Sequence, residues 1–335
     1  MAKPMLPSNR VCGLQSYFEK RAPVALTETS KSWVFLTPDL VFKLKKPVRD
    51  DLQDLTPLQA RHDNTLMEID LNRRLAPHLY LGAARVGRMP DGRLVLDDPR
   101  AETVDWMVKM RRLPADLMLD ACLIADKPPA ALSDDIEILI SRLGAYYRQA
   151  PATRLTAAEL MPVQENQIRM TRRVLLNTYF KAHHTRFRRL LDQFETLLPL
   201  TLGLLETRVR QGAVVECHGD LRPEHICLTD PPVVYDCLEF SRILRLSDPY
   251  SEAVFLGMEC AILGADWIGP RLIKGLEAEF GPAPDPDLLR IYKAHHALTR
   301  ARLSLAHLLV PVPRKPLKWE PLGLRYVEIA EHLVF

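Results

Sequence analysis

The sequence has 335 residues, 47% of them apolar and 26% charged, with a formal net charge of +3. Those values exclude a wholly disordered chain and give no reason to expect nucleic acid as a partner. Fourteen glycines against 27 prolines also count against any phosphate-binding loop built from several glycines.

In chain order, Trp33-Val34-Phe35-Leu36 and Leu40-Val41-Phe42-Lys43-Leu44 are β-rich runs split by Thr37-Pro38-Asp39, which predicts a hairpin over 33–46. Residues 58–75 suit a helix that Ala76-Pro77 stops. A second hairpin is expected from 82–88 and 93–96 around Met89-Pro90-Asp91-Gly92, followed by a strand at 106–110. The remainder is mostly helical in pattern, with helices expected at 133–147, 162–180, 187–210, 248–263, 270–280 and 287–309. An island of short strands at 214–217, 225–228 and 233–235 interrupts them. The class is therefore α+β. A small β-rich lobe over residues 1–113 is followed by a larger helical one over 114–335. Residues 1–113 carry 19 Lys and Arg against 14 Asp and Glu, whereas 114–335 carry 26 against 28. A basic first lobe suits an anionic cofactor.

No apolar run of about 18 residues occurs that could span a bilayer, and the first ten residues lack the apolar core of a signal peptide. The six cysteines contain no C-x-x-C pair and read as buried free thiols in a reducing compartment. A cytoplasmic protein with neither membrane nor nucleic acid as partner is the expectation.

The densest polar cluster in an apolar setting is Cys217-His218-Gly219-Asp220-Leu221-Arg222-Pro223-Glu224-His225-Ile226-Cys227-Leu228. Asp236 follows sixteen residues after Asp220, in Val233-Val234-Tyr235-Asp236-Cys237-Leu238-Glu239-Phe240. Each carboxylate ends a β-rich run. One at a strand end can take a proton from a hydroxyl, and a second can hold a divalent ion against phosphate oxygens.

These motifs resemble the protein-kinase-like fold, specifically the aminoglycoside phosphotransferases and related small-molecule kinases. His218-Gly219-Asp220 matches their catalytic loop, and Asp236 matches the metal aspartate of the segment where protein kinases carry D-F-G. The runs Ser32–Leu36 and Leu71–Pro77 also look like an uncharacterised bacterial branch of that family. The resemblance implies a bilobal fold, with a nucleotide-binding lobe over 1–113 and a catalytic and substrate lobe over 114–335. It implies ATP with Mg²⁺, or Mn²⁺, and a small-molecule hydroxyl as phosphate acceptor. In it Asp220 is the catalytic base, beside His218, and Arg222 stabilises the transferred phosphoryl group; Asp236 is the principal metal ligand. The family's asparagine five residues after the base is His225 here, an imidazole where Mg²⁺ prefers oxygen. Either His225 ligates a different ion, or Glu224 or Glu239 supplies oxygen, or the protein is a pseudokinase that binds nucleotide without phosphotransfer.

Upstream, Lys43 and Glu68 fit the strand lysine and helix glutamate of this fold, with Lys45 a rival two residues on and therefore on the same strand face. Met110 lies where the hinge would run beneath the adenine, and Thr27–Ser32 would cover the nucleotide with hydroxyls, including Ser32, and Lys31 in place of glycines. Asp248 opens the next helix, where the resemblance implies a brace for the catalytic loop and an ordinary N-cap also fits; the two readings are compatible. Gly264 and Gly269 have Walker spacing but precede Pro270-Arg271, so that loop is rejected. The adjacent pairs His183-His184 and His295-His296 diverge by about 100° on a helix and do not share an ion. Arg300 and Arg302, on the last long helix, read either as side chains that approach a substrate anion or, the preferred reading, as core-edge side chains with their heads in water.

Overall fold

The computed structural model describes residues 9–50 and 52–335; most of the N-terminal segment read for targeting lies outside them. In chain order, α1 (Asn9–Glu19) precedes β1 (Ala25–Glu28), β2 (Ser32–Leu36), β3 (Leu40–Lys45), α2 (Leu58–Arg73), β4 (Tyr80–Arg88), β5 (Leu94–Leu96), β6 (Glu102–Arg111) and α3 (Leu119–Ile124). Then come α4 (Pro129–Gln149), α5 (Ala157–Leu175), α6 (His184–Glu195), α7 (Leu198–Arg210), β7 (Val215–Glu216), β8 (Ile226–Cys227) and β9 (Val233–Val234). The chain ends with α8 (Arg242–Arg245), β10 (Leu246–Ser247), α9 (Pro249–Ile262), α10 (Ile268–Glu279), α11 (Pro286–Ala306) and α12 (Pro316–Val334). It forms two compact units, one of residues up to 125 together with 223–242, the other of 126–222 with 243–335. The α+β class read from the sequence is the one observed. No helix among the described residues is long and apolar enough to cross a membrane.

The first unit is built on an antiparallel sheet of order β1-β2-β3-β6-β4-β5. Side chains alternate across it, as the period of two requires. Trp33, Phe35, Phe42 and Leu44 face α1, which buries Val11, Leu14 and Phe18 against them. The opposite face presents Val41 and Met110 to Ile69 of α2. Lys43 and Lys45 share that second face with Val41, which brings two cations to the helix. Residues 223–242 join this unit as a β8–β9 hairpin. The hairpin is tied by the Leu228 amide donating to the Leu117 carbonyl at 2.8 Å.

In the second unit a helical core gathers Phe187 and Phe194 of α6, Phe255 of α9, Leu298 and Leu305 of α11, and Tyr326 of α12. β7 pairs with β10, and the buried Arg245 guanidinium holds Glu216 at 2.7 Å beside that pairing.

Several expectations are corrected. The helix expected over 187–210 is two, α6 and α7; Pro199 lies in the first turn of α7, where its missing N–H costs nothing, whereas inside one longer helix it would remove a hydrogen bond. α5 starts ahead of the expected 162, at a capping box in which Thr156 and Glu159 satisfy each other's backbone. α1, β1 and α12 were not foreseen. α12 carries Pro316 and Pro321, the residue type that argues against a helix.

Of the two glycines with Walker spacing, Gly264 adopts φ +91° just past α9 and meets open space, whereas Gly269 packs against Gly257 of α9. A Cβ on Gly257 would come within 2.7 Å of the Gly269 Cα, so glycine at position 257 lets α9 and α10 approach closely. Gly257→Ala is expected to destabilise the protein by about 1–3 kcal/mol through overpacking. Gly203→Ala, which meets open space in α7, should instead stabilise by about 0.5–1 kcal/mol. Urea unfolding of both variants checks this, and equal midpoints would contradict it.

Candidate functional site

β3 and α2 build the charged cluster of the first unit. Lys43 Nζ lies 3.0 Å from Glu68 Oε1 and 2.7 Å from Asp236 Oδ1. Lys45 Nζ donates to Glu239 Oε1 at 2.5 Å and also pairs with the second oxygen of Glu68. Glu68 thus bridges both lysines. Their exposure separates them: the Lys43 side chain is 17% exposed, the Lys45 side chain 1%. Lys43 is the one open to a ligand, whereas Lys45 is a buried support.

Burial opposes the charge on Lys43, but Asp236, Glu68 and Glu239 outweigh it and hold the ammonium well above its ordinary pKa. Burial likewise opposes ionisation of Asp236. Lys43, His225 and Lys45 outweigh it, so this carboxyl stays well below the usual range. Both groups are therefore charged at neutral pH.

Asp236 follows β9 with φ +60°, the left-handed region that a residue with a Cβ enters only under constraint. The constraint comes from two side chains that the sequence reading did not assign to the site. Asn72 Oδ1 accepts the Cys237 amide at 2.8 Å, and the Tyr80 hydroxyl lies 3.4 Å from the Asp236 amide. Asn72 stands one turn after Glu68, so a single face of α2 holds both the lysine and the aspartate turn. That i, i+4 spacing was the available signal.

The other expected residues of this unit fall as follows. His225 is buried, with Nε2 3.6 Å from Asp236 Oδ2. Ser32 is fully buried, and Met110 lies in the apolar cluster with Val41, Ile69 and Tyr80. The 27–32 turn is closed by a hydroxyl: Thr29 Oγ1 accepts the Ser32 amide at 2.9 Å, and Lys46 Nζ donates to the Thr29 carbonyl at 2.6 Å. Lys31 pairs with Asp50. Among the described residues, no three His, Cys, Asp or Glu side chains are grouped to hold a metal. Mg²⁺ seldom uses such a cage. It takes one or two carboxylates and completes its shell with phosphate and water oxygens, a role that the part-exposed Asp236 fits.

In the second unit, Gly219 adopts φ +88°, and the His218 and Gly219 amides donate to Glu252 at 3.0 and 2.5 Å. The Tyr147 hydroxyl also donates to Glu252, at 2.8 Å. Burial pushes this carboxyl's pKa up, against its hydrogen bonds. The buried His218 ring accepts the Asp220 amide at Nδ1, at 3.3 Å. Arg222 Nε lies 3.0 Å from Asp220 Oδ1. Asp248 caps α9 through the Tyr250 amide and pairs with Arg208 at 2.6 Å. The N-cap reading of Asp248 therefore holds, while the loop brace is Glu252, four residues further along α9. Sequence reading missed Glu252, since an acid inside an apolar helix carries no motif.

No protein-family model matches the chain. Uncharacterised proteins of Mycobacterium bovis and Mycobacterium tuberculosis are 28% identical over 292 residues, covering 84% of this chain and 54% of theirs. The chain thus spans about half the length of the curated relatives it matches. Among solved structures, a Plasmodium vivax ethanolamine kinase is similar at TM-score 0.53 and 10% identity, over 98% of this chain and 90% of that one. Spectinomycin phosphotransferase, solved with ADP and spectinomycin, is similar at TM-score 0.51 and 11% identity, over 99% of each. A choline/ethanolamine kinase family protein from Mesorhizobium loti follows at 0.50 and 14%, over 93% and 88%. Likeness at these identities speaks to fold. The chain has the α+β protein-kinase-like fold that these small-molecule kinases share, as the resemblance of its motifs implied.

Removing the loop brace tests its role. Glu252→Ala leaves two backbone donors without their acceptor and is expected to cost about 2 kcal/mol or more. Amide exchange at His218 and Gly219 should accelerate in parallel. Unchanged protection at both amides would show that the loop is held by something else.

Proposed function

We propose that the protein is an ATP-dependent phosphotransferase acting on a hydroxyl of a small molecule. The observation that carries this reading is the Lys43 ammonium held between Glu68 and Asp236. A part-exposed, oriented cation on a strand, fixed by a helix carboxylate and adjacent to a second carboxylate, is what the phosphates of a nucleotide–metal complex require. The spectinomycin phosphotransferase of similar fold, solved with ADP, supports the same nucleotide.

In this reading Lys43 orients the α- and β-phosphates, and Glu68 keeps its ammonium in place. The apolar cluster around Met110 and Val41 receives the adenine. Asp236 would hold the divalent ion, with His225 or Glu239 as further candidates; when bound, the ion neutralises charge on the phosphate oxygens. Asp220 accepts the acceptor's hydroxyl proton as that oxygen attacks the γ-phosphorus. Arg222 lies beside it as a forked cation for the transferred phosphoryl. His218 and Glu252 hold the loop, so their contribution is positional. The functional division is a nucleotide-binding part over 1–113 and a catalytic and substrate part over 114–335.

An ATP-consumption screen across hydroxyl-bearing metabolites, run separately with Mg²⁺ and Mn²⁺, tests the reading. With an acceptor in hand, Asp220→Ala should lower ADP formation by about 100- to 10,000-fold with little change in melting temperature. Lys43→Met should remove the thermal stabilisation given by ATP and metal. ADP formation by Asp220→Ala equal to that of the unaltered protein would sink the proposal. Nucleotide binding with no turnover of any acceptor, unaffected by Asp220→Asn, would establish the pseudokinase alternative instead. Replacing the unusual imidazole, His225→Asn should shift the metal preference towards Mg²⁺. The ratio of rates with the two metals reads this directly.

A further inference from the structure

The second unit encloses a cavity of about 120 Å³ between α5, α11 and residues 243–251. That is room for several water-sized groups, since one water needs ~10–15 Å³. Its walls include Gln164, Gln167, Ser251, Tyr292, His295 and His296. The motif-based reading absorbed none of these.

Next to this cavity lies a cation with no counter-charge. Arg302 stands two helical turns beyond His295, on the same face of α11, and is 7% exposed. The expectation that its head reaches water is therefore wrong. Its guanidinium donates to Gln167 Oε1 at 2.6 Å and, at 3.5 Å, to the Gln167 carbonyl, both neutral acceptors. Its Nε has no hydrogen-bond partner. Among the described residues no carboxylate lies within ion-pair distance of Arg302. Burial is what acts on this group, bringing its pKa down to about 10. The nearby His295 is held neutral by burial and then by Arg302, at about 4, and its enclosed Nε2 also has no partner.

The other charges around the cavity are settled. Asp248, in its wall, is bound by Arg208 at 2.6 Å, and Arg300 is compensated by Glu259 at 3.1 Å. A buried charge without a partner is strongly disfavoured, so Arg302 marks a place for an anion.

The cavity also adjoins the catalytic loop. His296 Nε2 is 2.9 Å from Ser251 Oγ, and the next residue, Glu252, holds the His218 and Gly219 amides. Asp220 is close enough for its charge to act on both His296 and Arg300.

We propose that this cavity receives an anionic group, carboxylate or phosphate, carried by the hydroxyl acceptor, with Arg302 as its counter-ion and Gln167 and His295 orienting it. The inference rests on the phosphotransferase reading and narrows its substrate to anionic hydroxyl compounds.

The test measures thermal stabilisation of the full chain by matched probes: inorganic phosphate, glycerol phosphate against glycerol, and glycerate against glyceramide, at constant ionic strength. The anionic member of each pair should stabilise the protein saturably and the neutral one should not. Arg302→Gln should abolish the difference. Gln167→Glu provides the fold-preserving control, because it places a carboxylate against Arg302. That variant should melt no lower than the unaltered protein and should lose the anion response while keeping the response to ATP. Asp220→Asn should keep the anion response and lose only turnover. Equal stabilisation by charged and neutral members, no response to any anion, or an anion response retained in Gln167→Glu would each overturn the proposal. An intact anion response in a protein that neither binds nor consumes ATP would overturn the acceptor assignment and, separately, the phosphotransferase reading.

Discussion

The ion pairs around Glu68 are the constraint on which the first unit depends. A carboxylate buried in an apolar sheet–helix interface is tolerable only if fully paired. Glu68 meets that condition by taking one lysine on each oxygen. Those lysines reach it because β3 places alternate residues on one face, so positions 43 and 45 arrive together. Each lysine then holds a second carboxylate from the 223–242 segment, Asp236 or Glu239. Three stretches far apart in sequence are thereby fastened through two ammonium groups. The left-handed turn at Asp236 can persist because Asn72, on the same helix as Glu68, satisfies the amide that follows it. Electrostatics and backbone geometry solve one problem here: how to keep a carboxylate partly exposed at a strand end with its direction fixed.

The second unit also anchors its loop on a buried carboxylate, with neutral donors in place of cations. Glu252 is buried and takes its hydrogen bonds from backbone amides and a tyrosine, with no arginine or lysine among its partners. A carboxylate bound by N–H groups fixes main chain, which is what a loop carrying a reactive side chain needs. Gly219 supplies the backbone angle and Glu252 the anchor. Asp220 then projects from a loop whose preceding two amides are immobilised and whose own amide rests on His218.

Legibility in the sequence followed the range of the interaction involved. Residues that stand in a local pattern could be singled out. Lys43 was visible on an alternating strand, Glu68 on the helix after it, and Asp220 and Asp236 at the ends of β-rich runs. The choice between Lys43 and Lys45 was not legible, because both lie on one face and only burial separates them. Asn72 and Glu252 were missed because their partners are backbone amides, 165 and 33–34 residues away, that no side-chain motif announces. α12 was missed for a different reason. Its prolines argue for a break, yet Val327, Ala330 and Tyr326 bury so completely in the helical core that tertiary packing overrides local propensity.

Glycine scarcity and Arg302 bear on the same question, which is where this protein keeps its positive charge for anions. The 27–32 turn is closed by Thr29 rather than by glycine, and its lysine is already paired with Asp50. A glycine-rich loop can offer many backbone N–H groups to phosphate; this turn spends part of that capacity on its own hydroxyl. In the proposed function, recognition of phosphates in the first unit then falls more heavily on Lys43, a cation whose partners a ligand must share. Arg302 is the opposite case. Among the described residues its hydrogen-bond partners are the oxygens of one glutamine, so an incoming anion meets no resident competitor. A shared cation favours exchange, as a turning-over nucleotide requires, whereas an unshared one favours selection, and selection among acceptors by charge is the use to which a buried, unpaired guanidinium is best suited.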